Sequence, residues 1–369
     1  MQNKLKYILD VGSSRLRLLA VGVYNKDCRI VAEDSVLYDG FLDGEFLSPD
    51  KLIDDLSQLI TRMSTKMRKH ITSIMVGVPS EFCICVCKRI SRKYVTLHKI
   101  TDADLINLYE SNSSFGDSEE YSVINFSPMK FVLDDEISTL SPVGMKTRSL
   151  ILDASYILAK RYFMDNMVDR LTSIGVKHID FISSALGQAM YCEPKKQDGR
   201  PIVLVDCGHI STSVSVYKGE GLALLSSFAM GGGHISSDIM QILGLSFRDA
   251  ELIKRKVILT ISSDKNEYYE ICTKGNLVRA PINITNQIVK SRIEMIAKVI
   301  ANILSIDEVF KGIDLYLTGD GIANFKGAKN IIHDITGLNV YEYKIPFDNS
   351  KEKYQTSKMG LATLANIVI

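Results

Sequence analysis

No apolar run in this 369-residue sequence approaches the roughly 18 residues needed to cross a bilayer, which excludes a membrane-spanning helix. Charge excess is missing as well. With 44 Lys and Arg against 43 Asp and Glu the formal net charge is +1, whereas a nucleic-acid binder usually carries a basic surplus on one domain. No signal peptide is evident, because Met1 to Tyr7 runs directly into a strand pattern. The seven cysteines are irregularly placed and include Cys83, Cys85 and Cys87 in CICVC, without the two-residue spacers and second ligand pair of a structural zinc site. Period two puts these three on one strand face, so the expectation is a buried, reduced face in a cytoplasmic protein. What remains, 46% hydrophobic and 24% charged, is an ordinary globular composition long enough for two or three cores.

One stretch organises the rest. From Pro201 to Leu243 an apolar run ends in Asp206 and a Gly208 turn, alternating SVSVY follows, then a Gly-containing turn, LALLSSFAM and a glycine triplet opening a helix. The reading is strand, tight hairpin, strand, turn, strand, helix N-terminus. The chain begins with the same grammar. KYILDVGSSRLRLLAVGVYNKDCRIVAEDSVLYDG sets Asp10 and Gly12 in a matching hairpin, which points to a duplicated half-molecule. Two such halves facing one another would aim both hairpins at a shared cleft, offering backbone N–H groups for phosphate and Asp10 and Asp206 for a hydrated cation. A turn-capping Asp before Gly is the bland alternative, and the duplication counts against it. Ser13, Ser14, Ser211 and Thr212 could add hydroxyl contacts to phosphate, although Ser and Thr are common in turns. Gly231, Gly232 and Gly233 would allow close backbone approach at a helix N-terminus.

Between and beyond the hairpins the periodicity is coarser. Ser48 and Pro49 start a helix whose Leu52, Leu56, Leu59, Met63 and Met67 recur at helical spacing, and Ile71 to Pro79 reads as a strand. SNSSFGDSEE reads as a mobile connection. Asp165 to Ser173 is a helix and HIDFISSALGQAM a strand and linking helix. Arg248 to Lys256 is a charged helix. Lys265 to Arg279 is strand-turn-like, and Val289, Ile293, Ile296, Ile300 and Ile303 mark a long helix with one apolar side.

The hairpins resemble the paired D-[IVL]-G-[TS]-[TS] and D-x-G-G-G-T-[TS]-D elements of the actin-like ATPase superfamily. Within it the sequence is similar to the FtsA cell-division family: GGGHISSDIMQIL looks like its G-G-x-x-I-T-x-D-I helix opening, AELIKRK like A-E-x-I-K, and SRIEMIAKVIANIL like its R-x-x-E-I helix. LTGDGIANFKG is similar to its L-T-G-G-G-A adenine loop, and MGLATLA to its closing helix. YSVINFSPMKFVLDDEISTLSPVGMKTRSL looks like its insert, with Pro128, a Val132 to Asp135 turn and Pro142 to Met145. The resemblance runs in order from Asp10 to Leu364. It implies an α/β actin-like ATPase fold of two duplicated ribonuclease-H-like lobes with an inserted subdomain 1C. The implied division is 1–80 and 166–195 for subdomain 1A, 81–165 for 1C, 196–243 and 307–369 for 2A, and 244–306 for 2B.

The resemblance also implies function. ATP and Mg2+ would bind between the lobes, with Glu251 and Lys254 as ribose and adenine contacts and Gly319 and Gly321 forming the loop along the other side. By spacing alone, Glu251 and Lys254 are an i, i+3 ion pair. The implied protein is a polymerising scaffold of bacterial division, self-associating head to tail and receiving the acidic C-terminal tail of FtsZ on subdomain 2B, with Lys290 and Arg292 as candidates. Other division proteins would use 1C, nucleic acid is not a partner, and the place is cytoplasmic, peripheral at the inner face of the membrane. A PilM-type pilus or secretion adaptor is the alternative on the same fold, and a sugar kinase the less favoured one. Four residues depart from the pattern. Ile210 stands at a hairpin glycine, where a β-branched residue resists positive φ; Ser213 replaces an Asp, His209 neighbours the phosphate position, and Asp320 replaces an adenine-loop glycine. Ser183, Ser184 and Gln188 on the linking helix supply no carboxylate to position water, so no catalytic residue is named and at most a weak ATPase is expected. After Met359, Gly360 and Leu361 only ATLANIVI follows, without the basic amphipathic helix of FtsA relatives, which suggests a tetherless relative or a chain cut before it.

Overall fold

The computed structural model describes residues 4–24, 27–42, 44–110, 118–193, 200–261, 267–305, 312–345 and 355–367. Most of the SNSSFGDSEE connection, 111–117, lies outside them. Two compact units divide the chain: Met1–Pro201, Ser215–Ser226 and Ser357–Ile369 form one, and Ile202–Val214 with Ser227–Thr356 the other.

In the first unit β1 (Lys4–Val11), β2 (Arg15–Tyr24) and β3 (Asp27–Leu37) form an antiparallel meander. Two short strands, β4 (Phe41–Leu42) and β5 (Glu45–Phe46), then lead to α1 (Pro49–Met67). This helix buries Leu52, Leu56, Leu59, Ile60 and Met63, a stripe at helical spacing. It stops where Arg68 turns left-handed at φ 50 and its N–H closes back on the last turn. The Ser48 hydroxyl accepts no capping hydrogen bond from the first turn, so the start rests on Pro49. Strand β6 (Ser73–Val78) runs parallel to β1, placing Asp10 opposite Gly77.

Residues 83–160 build a second sheet in the order β7-β10-β8-β9 from β7 (Cys83–Lys99), β8 (Tyr121–Leu133), β9 (Ile137–Thr139) and β10 (Lys146–Lys160). Its core joins Ile90, Phe131, Leu133, Leu150, Leu152, Tyr156 and Leu158 to Leu108 of α2 (Asp102–Glu110). The turn at Asp134 and Asp135 takes two positive φ values, and the Asp134 carboxylate holds it by accepting from the N–H groups of Arg148 and Ser149. The expected buried cysteine face needs correction. Cys83 is buried, Cys85 half-buried and Cys87 exposed, because β7 is an edge strand whose cover thins along its length.

After α3 (Arg161–Ser173), strand β11 (His178–Ser183) joins the first sheet beside β6, and α4 (Ser184–Cys192) follows, capped by the Ser183 hydroxyl accepting from the Leu186 N–H at 3.2 Å. The closing helix α9 (Ser357–Ile367), expected with the second half, packs in this unit against α4. The physical reason is a glycine contact: a Cβ on Gly360 would lie 2.4 Å from the Gln188 backbone and one on Gly187 2.5 Å from the Gly360 carbonyl, so the two helices touch backbone to backbone.

The second half opens with β12 (Ile202–Cys207), β13 (Thr212–Lys218) and β14 (Gly221–Phe228), in a sheet ordered β14-β13-β12-β17-β18. Helices α5 (Gly232–Leu243) and α6 (Phe247–Lys254), the hairpin of β15 (Tyr268–Thr273) with β16 (Asn276–Pro281), and α7 (Ile282–Ser305) come next. Val289, Ile293, Ile296 and Ile300 of α7 are buried as their spacing predicts. Strand β17 (Leu315–Thr318) returns parallel to β12, with Asp206 opposite Thr318, before α8 (Ala328–Thr336) and edge strand β18 (Val340–Glu342).

Candidate functional site

Each half carries a hairpin closed in the same way. The Gly12 N–H donates to the Arg15 carbonyl at 3.0 Å, and the Gly208 N–H to the Ser211 carbonyl at 2.8 Å, at the same distance beyond Asp10 and Asp206. A glycine then covers each hairpin tip. A Cβ on Gly40 would meet the Ser13 carbonyl at 2.0 Å, and one on Gly231 the His209 carbonyl at 2.6 Å. Neither turn uses a left-handed residue, so Ile210 sits in its hairpin without a positive φ.

In the first unit Asp10 is buried, and its Oδ2 accepts from Arg17 Nη1 at 3.1 Å and from the Ser357 hydroxyl at 3.0 Å. Arg17 is directly across the ladder from Asp10 and also reaches Glu33 at 2.8 Å, which in turn meets Lys358 at 3.3 Å. The carboxylate is therefore an anchored partner in a buried network. Around the hairpin, the Tyr38 hydroxyl donates to the Gly12 carbonyl at 2.7 Å and the Tyr38 N–H to the Ser14 carbonyl at 3.3 Å. Burial pushes the Tyr38 hydroxyl pKa far up, so it stays a donor.

In the second unit the glycines pack on one another. The N–H groups of Gly232, Gly233 and Gly321 donate to the carbonyls of Gly208, His209 and Cys207, while the Gly231 N–H donates to His234 Nδ1 at 3.1 Å. Cβ atoms on Gly232 and Gly321 would lie 2.6 Å from the Gly321 Cα and 2.4 Å from the Gly208 carbonyl. Gly319, at φ +84, lies under the half-buried Asp206, whose Oδ1 a Cβ there would approach to 2.3 Å. Thr212 is buried and gives its proton to the Met230 carbonyl at 2.6 Å, so the expected phosphate hydroxyl is already committed. His209 packs its ring over Gly233 and edge-on to Phe247 at 6.3 Å, and burial lowers its pKa.

Beside this glycine cluster, Lys254 reaches Glu251 at 2.5 Å and the Gly232 carbonyl at 2.8 Å, and Ser236 donates to the same Glu251 oxygen. The spacing argued for a surface pair; the structure encloses it. Burial lowers the Lys254 pKa, whereas at Glu251 the pull of burial is outweighed by Lys254 and Ser236 and the carboxyl falls below its usual range. Asp320 is held by the side-chain amides of Gln355 and Asn324. Arg292 grips Asp238 with two bonds of 2.7 Å, while Lys290 is exposed with Glu294 at 3.9 Å.

These contacts test what could be held. The N–H groups of Gly12, Gly208, Gly232, Gly233 and Gly321 are engaged by the protein's own carbonyls. Magnesium usually takes one or two carboxylates and fills the rest with water and phosphate oxygens. Asp10 is held by Arg17 and Ser357, and Asp206 lies half-buried beside Gly319. No group of three or more candidate metal ligands occurs among the described residues. Arg17 and Ser357 escaped the motif reading. Only the alternation of Arg15 and Arg17 with apolar residues hinted that one cation would lie across the ladder.

Comparison with known proteins bears on the whole chain. Residues 203–360 match the family described as Cell division protein FtsA. The Cell division protein FtsA of Bacillus subtilis is 20% identical over 353 residues, spanning 92% of this chain and 78% of the relative. That of Enterococcus faecalis is 21% identical over 346 residues, spanning 91% and 77%. Among solved structures, the PilM-PilN type IV pilus biogenesis complex aligns with a TM-score of 0.65 at 14% identity over 100% of both chains. MreB 5 of Spiroplasma citri bound to AMPPNP aligns with a TM-score of 0.60 at 11% identity over 100% of this chain and 98% of its own. The fold is the actin-like ATPase fold.

Proposed function

We propose that the chain, which is similar to the FtsA cell-division proteins and has the actin-like ATPase fold, belongs with them, binds ATP with magnesium and serves as a polymerising scaffold of bacterial division. The observation that carries the reading is the doubled hairpin, with its Asp, its closing Gly N–H and its covering glycine at matching places in each half. Ser13, Ser14 and Ser211 with the tip backbone are the phosphate contacts, and Asp206 holds water on the metal. When bound, magnesium would neutralise phosphate charge. Arg17 holds Asp10 in place, which shapes the first hairpin. Gly319 and Gly321 border the nucleotide, while Glu251 and Lys254 brace Gly232 at the start of α5. The nucleotide named for the MreB structure accords with this reading.

The subdomain division set out from the sequence is carried forward in this reading except at its end, where α9 goes with 1A. The FtsZ tail is assigned to 2B and Lys290, since Arg292 is committed to Asp238. Fluorescence anisotropy with an acidic FtsZ C-terminal peptide tests this: Lys290→Glu should weaken binding several-fold, and unchanged binding would remove the residue. The likeness to the PilM-PilN structure favours a second reading, an adaptor for a short membrane-protein peptide. Absence of any FtsZ-peptide binding by the intact chain would favour it.

A further inference from the structure

The far end of β7 leaves its sheet. Lys93 pairs with Ser149 and His98 with Thr147, so β7 advances five residues while β10 advances two. The Tyr94 and His98 rings stack 4.3 Å apart at 14°, whereas positions four residues apart on a straight strand are separated by about 13 Å. The chain between them therefore arches outward. Val95, Thr96 and Leu97 form its crest, all of them exposed, Val95 fully at 102% and Leu97 at 56%. The feet of the arch are braced. His98 Nε2 bonds Asp104 Oδ2 at 2.9 Å, the Thr101 hydroxyl donates to the same oxygen at 2.7 Å, and the Arg92 guanidinium lies 5.5 Å over the Tyr94 ring.

Charge of one sign surrounds the crest. From Phe82 to Ile100 the sequence has Lys88, Arg89, Arg92, Lys93 and Lys99 and no acidic residue. Lys99 stands directly opposite Lys146 of β10, a like-charge pairing that is unfavourable until an anion covers it. The acids of this sheet are engaged elsewhere, Asp153 by Arg89 at 2.7 Å and Asp104 by His98. Lys93, Lys99 and Lys146 are exposed and have no ion pair among the described residues.

We propose that this arch docks the protein on an anionic lipid surface, with Val95 and Leu97 entering the headgroup boundary and Lys93, Lys99 and Lys146 meeting lipid phosphates. Shape and charge together select that occupant. A bilayer interface takes up apolar side chains and attracts the cations beside them, so an apolar point inside a basic collar suits it. An acidic peptide would need a groove or a straight strand edge. Here the apolar groups stand on a convex crest, and the break in register interrupts the edge of β7 that a peptide strand would join. Because the ring stack and Asp104 already hold the arch, docking orders little additional chain. The site shares no residue with the phosphate hairpins, so it stands whether or not nucleotide binds.

The test is sedimentation of the intact chain with phosphatidylcholine vesicles, with and without phosphatidylglycerol. Binding is expected only with the anionic lipid and should weaken as salt rises. Lys93→Ala and Lys99→Ala should each weaken it about fivefold, and Val95→Asp, which removes apolar burial and adds a negative charge, by more than about tenfold. Lys290→Ala, at an exposed lysine of the other unit, should leave it unchanged. The sequence has no tryptophan, so Val95→Trp reports the crest alone: its emission should move to the blue with anionic vesicles, and that of Leu277→Trp, another exposed apolar position, should not. Circular dichroism confirms the fold of each variant. Equal binding to neutral vesicles, none to anionic ones, an unmoved Val95→Trp emission, or lysine-dependent capture of a Glu-rich peptide in place of vesicles would overturn the proposal.

Discussion

Replacing Arg17 with Met should cost the first unit far more than a surface charge would. Both partners of the Asp10 pair have side chains 7% exposed, so the guanidinium is removed from around a carboxylate that water cannot reach. Breaking a buried pair from one side typically costs about 3–5 kcal/mol. Two contacts survive the change and pull the value toward the lower end: Ser357 still donates to Asp10 at 3.0 Å, and Lys358 still faces Glu33 at 3.3 Å. About 3 kcal/mol in a unit of this size corresponds to a drop of roughly 6–12 °C in the midpoint of its thermal transition. Differential scanning calorimetry reads it directly. Arg17→Lys should lie between, because an ammonium can keep one carboxylate but not span both. A shift of less than about 2 °C for Arg17→Met would refute the reasoning, since it would mean that Asp10 is stably accommodated without the cation.

Two further outcomes follow from the same geometry. Gly319→Ala should destabilise the second unit by more than about 2 kcal/mol, because it adds positive-φ strain to a Cβ 2.3 Å from Asp206 Oδ1 and the Cys207 carbonyl; urea unfolding followed by circular dichroism checks it. Asp104 starts α2 by accepting from the Thr101 hydroxyl and His98, and these bonds lower its carboxyl to about 2. A depressed folded pKa gives stability that is full above the unfolded value of about 3.9 and lost as pH falls through about 2. Amide exchange in α2 should therefore be slower in the native chain than in Asp104→Asn at pH 5, and the difference should vanish near pH 2.

The hairpins were legible because their signal is local: an apolar run, Asp, then Gly, written twice. Helices α1 and α7 were legible for a similar reason, since a stripe of Leu, Ile, Val and Met at helical spacing must be buried somewhere. What escaped depends on pairing between distant segments. Arg17 opposes Asp10 only once the β1–β2 register is set, and Ser357 reaches the same oxygen from the far end of the chain. The terminal helix was assigned to the wrong half because sequence order says nothing about which neighbour a helix will pack on; the Gly187 and Gly360 contact settles it. CICVC announced a strand face correctly, but not its gradient of cover, which comes from the edge position of β7. Glu251 and Lys254 looked like a surface pair by spacing, and only the packing of α6 beside α5 reveals their enclosure.

Isothermal calorimetry of ATP binding, with magnesium and with chelator, tests the central claim most directly when Asp206→Ala is run beside the intact chain. The account predicts micromolar binding that weakens without magnesium and is lost in the variant, while the variant's thermal midpoint stays near that of the intact chain. No heat of binding from the intact chain at millimolar ATP would contradict it, and would mean that the carbonyls now holding the glycine N–H groups have closed the site to phosphate.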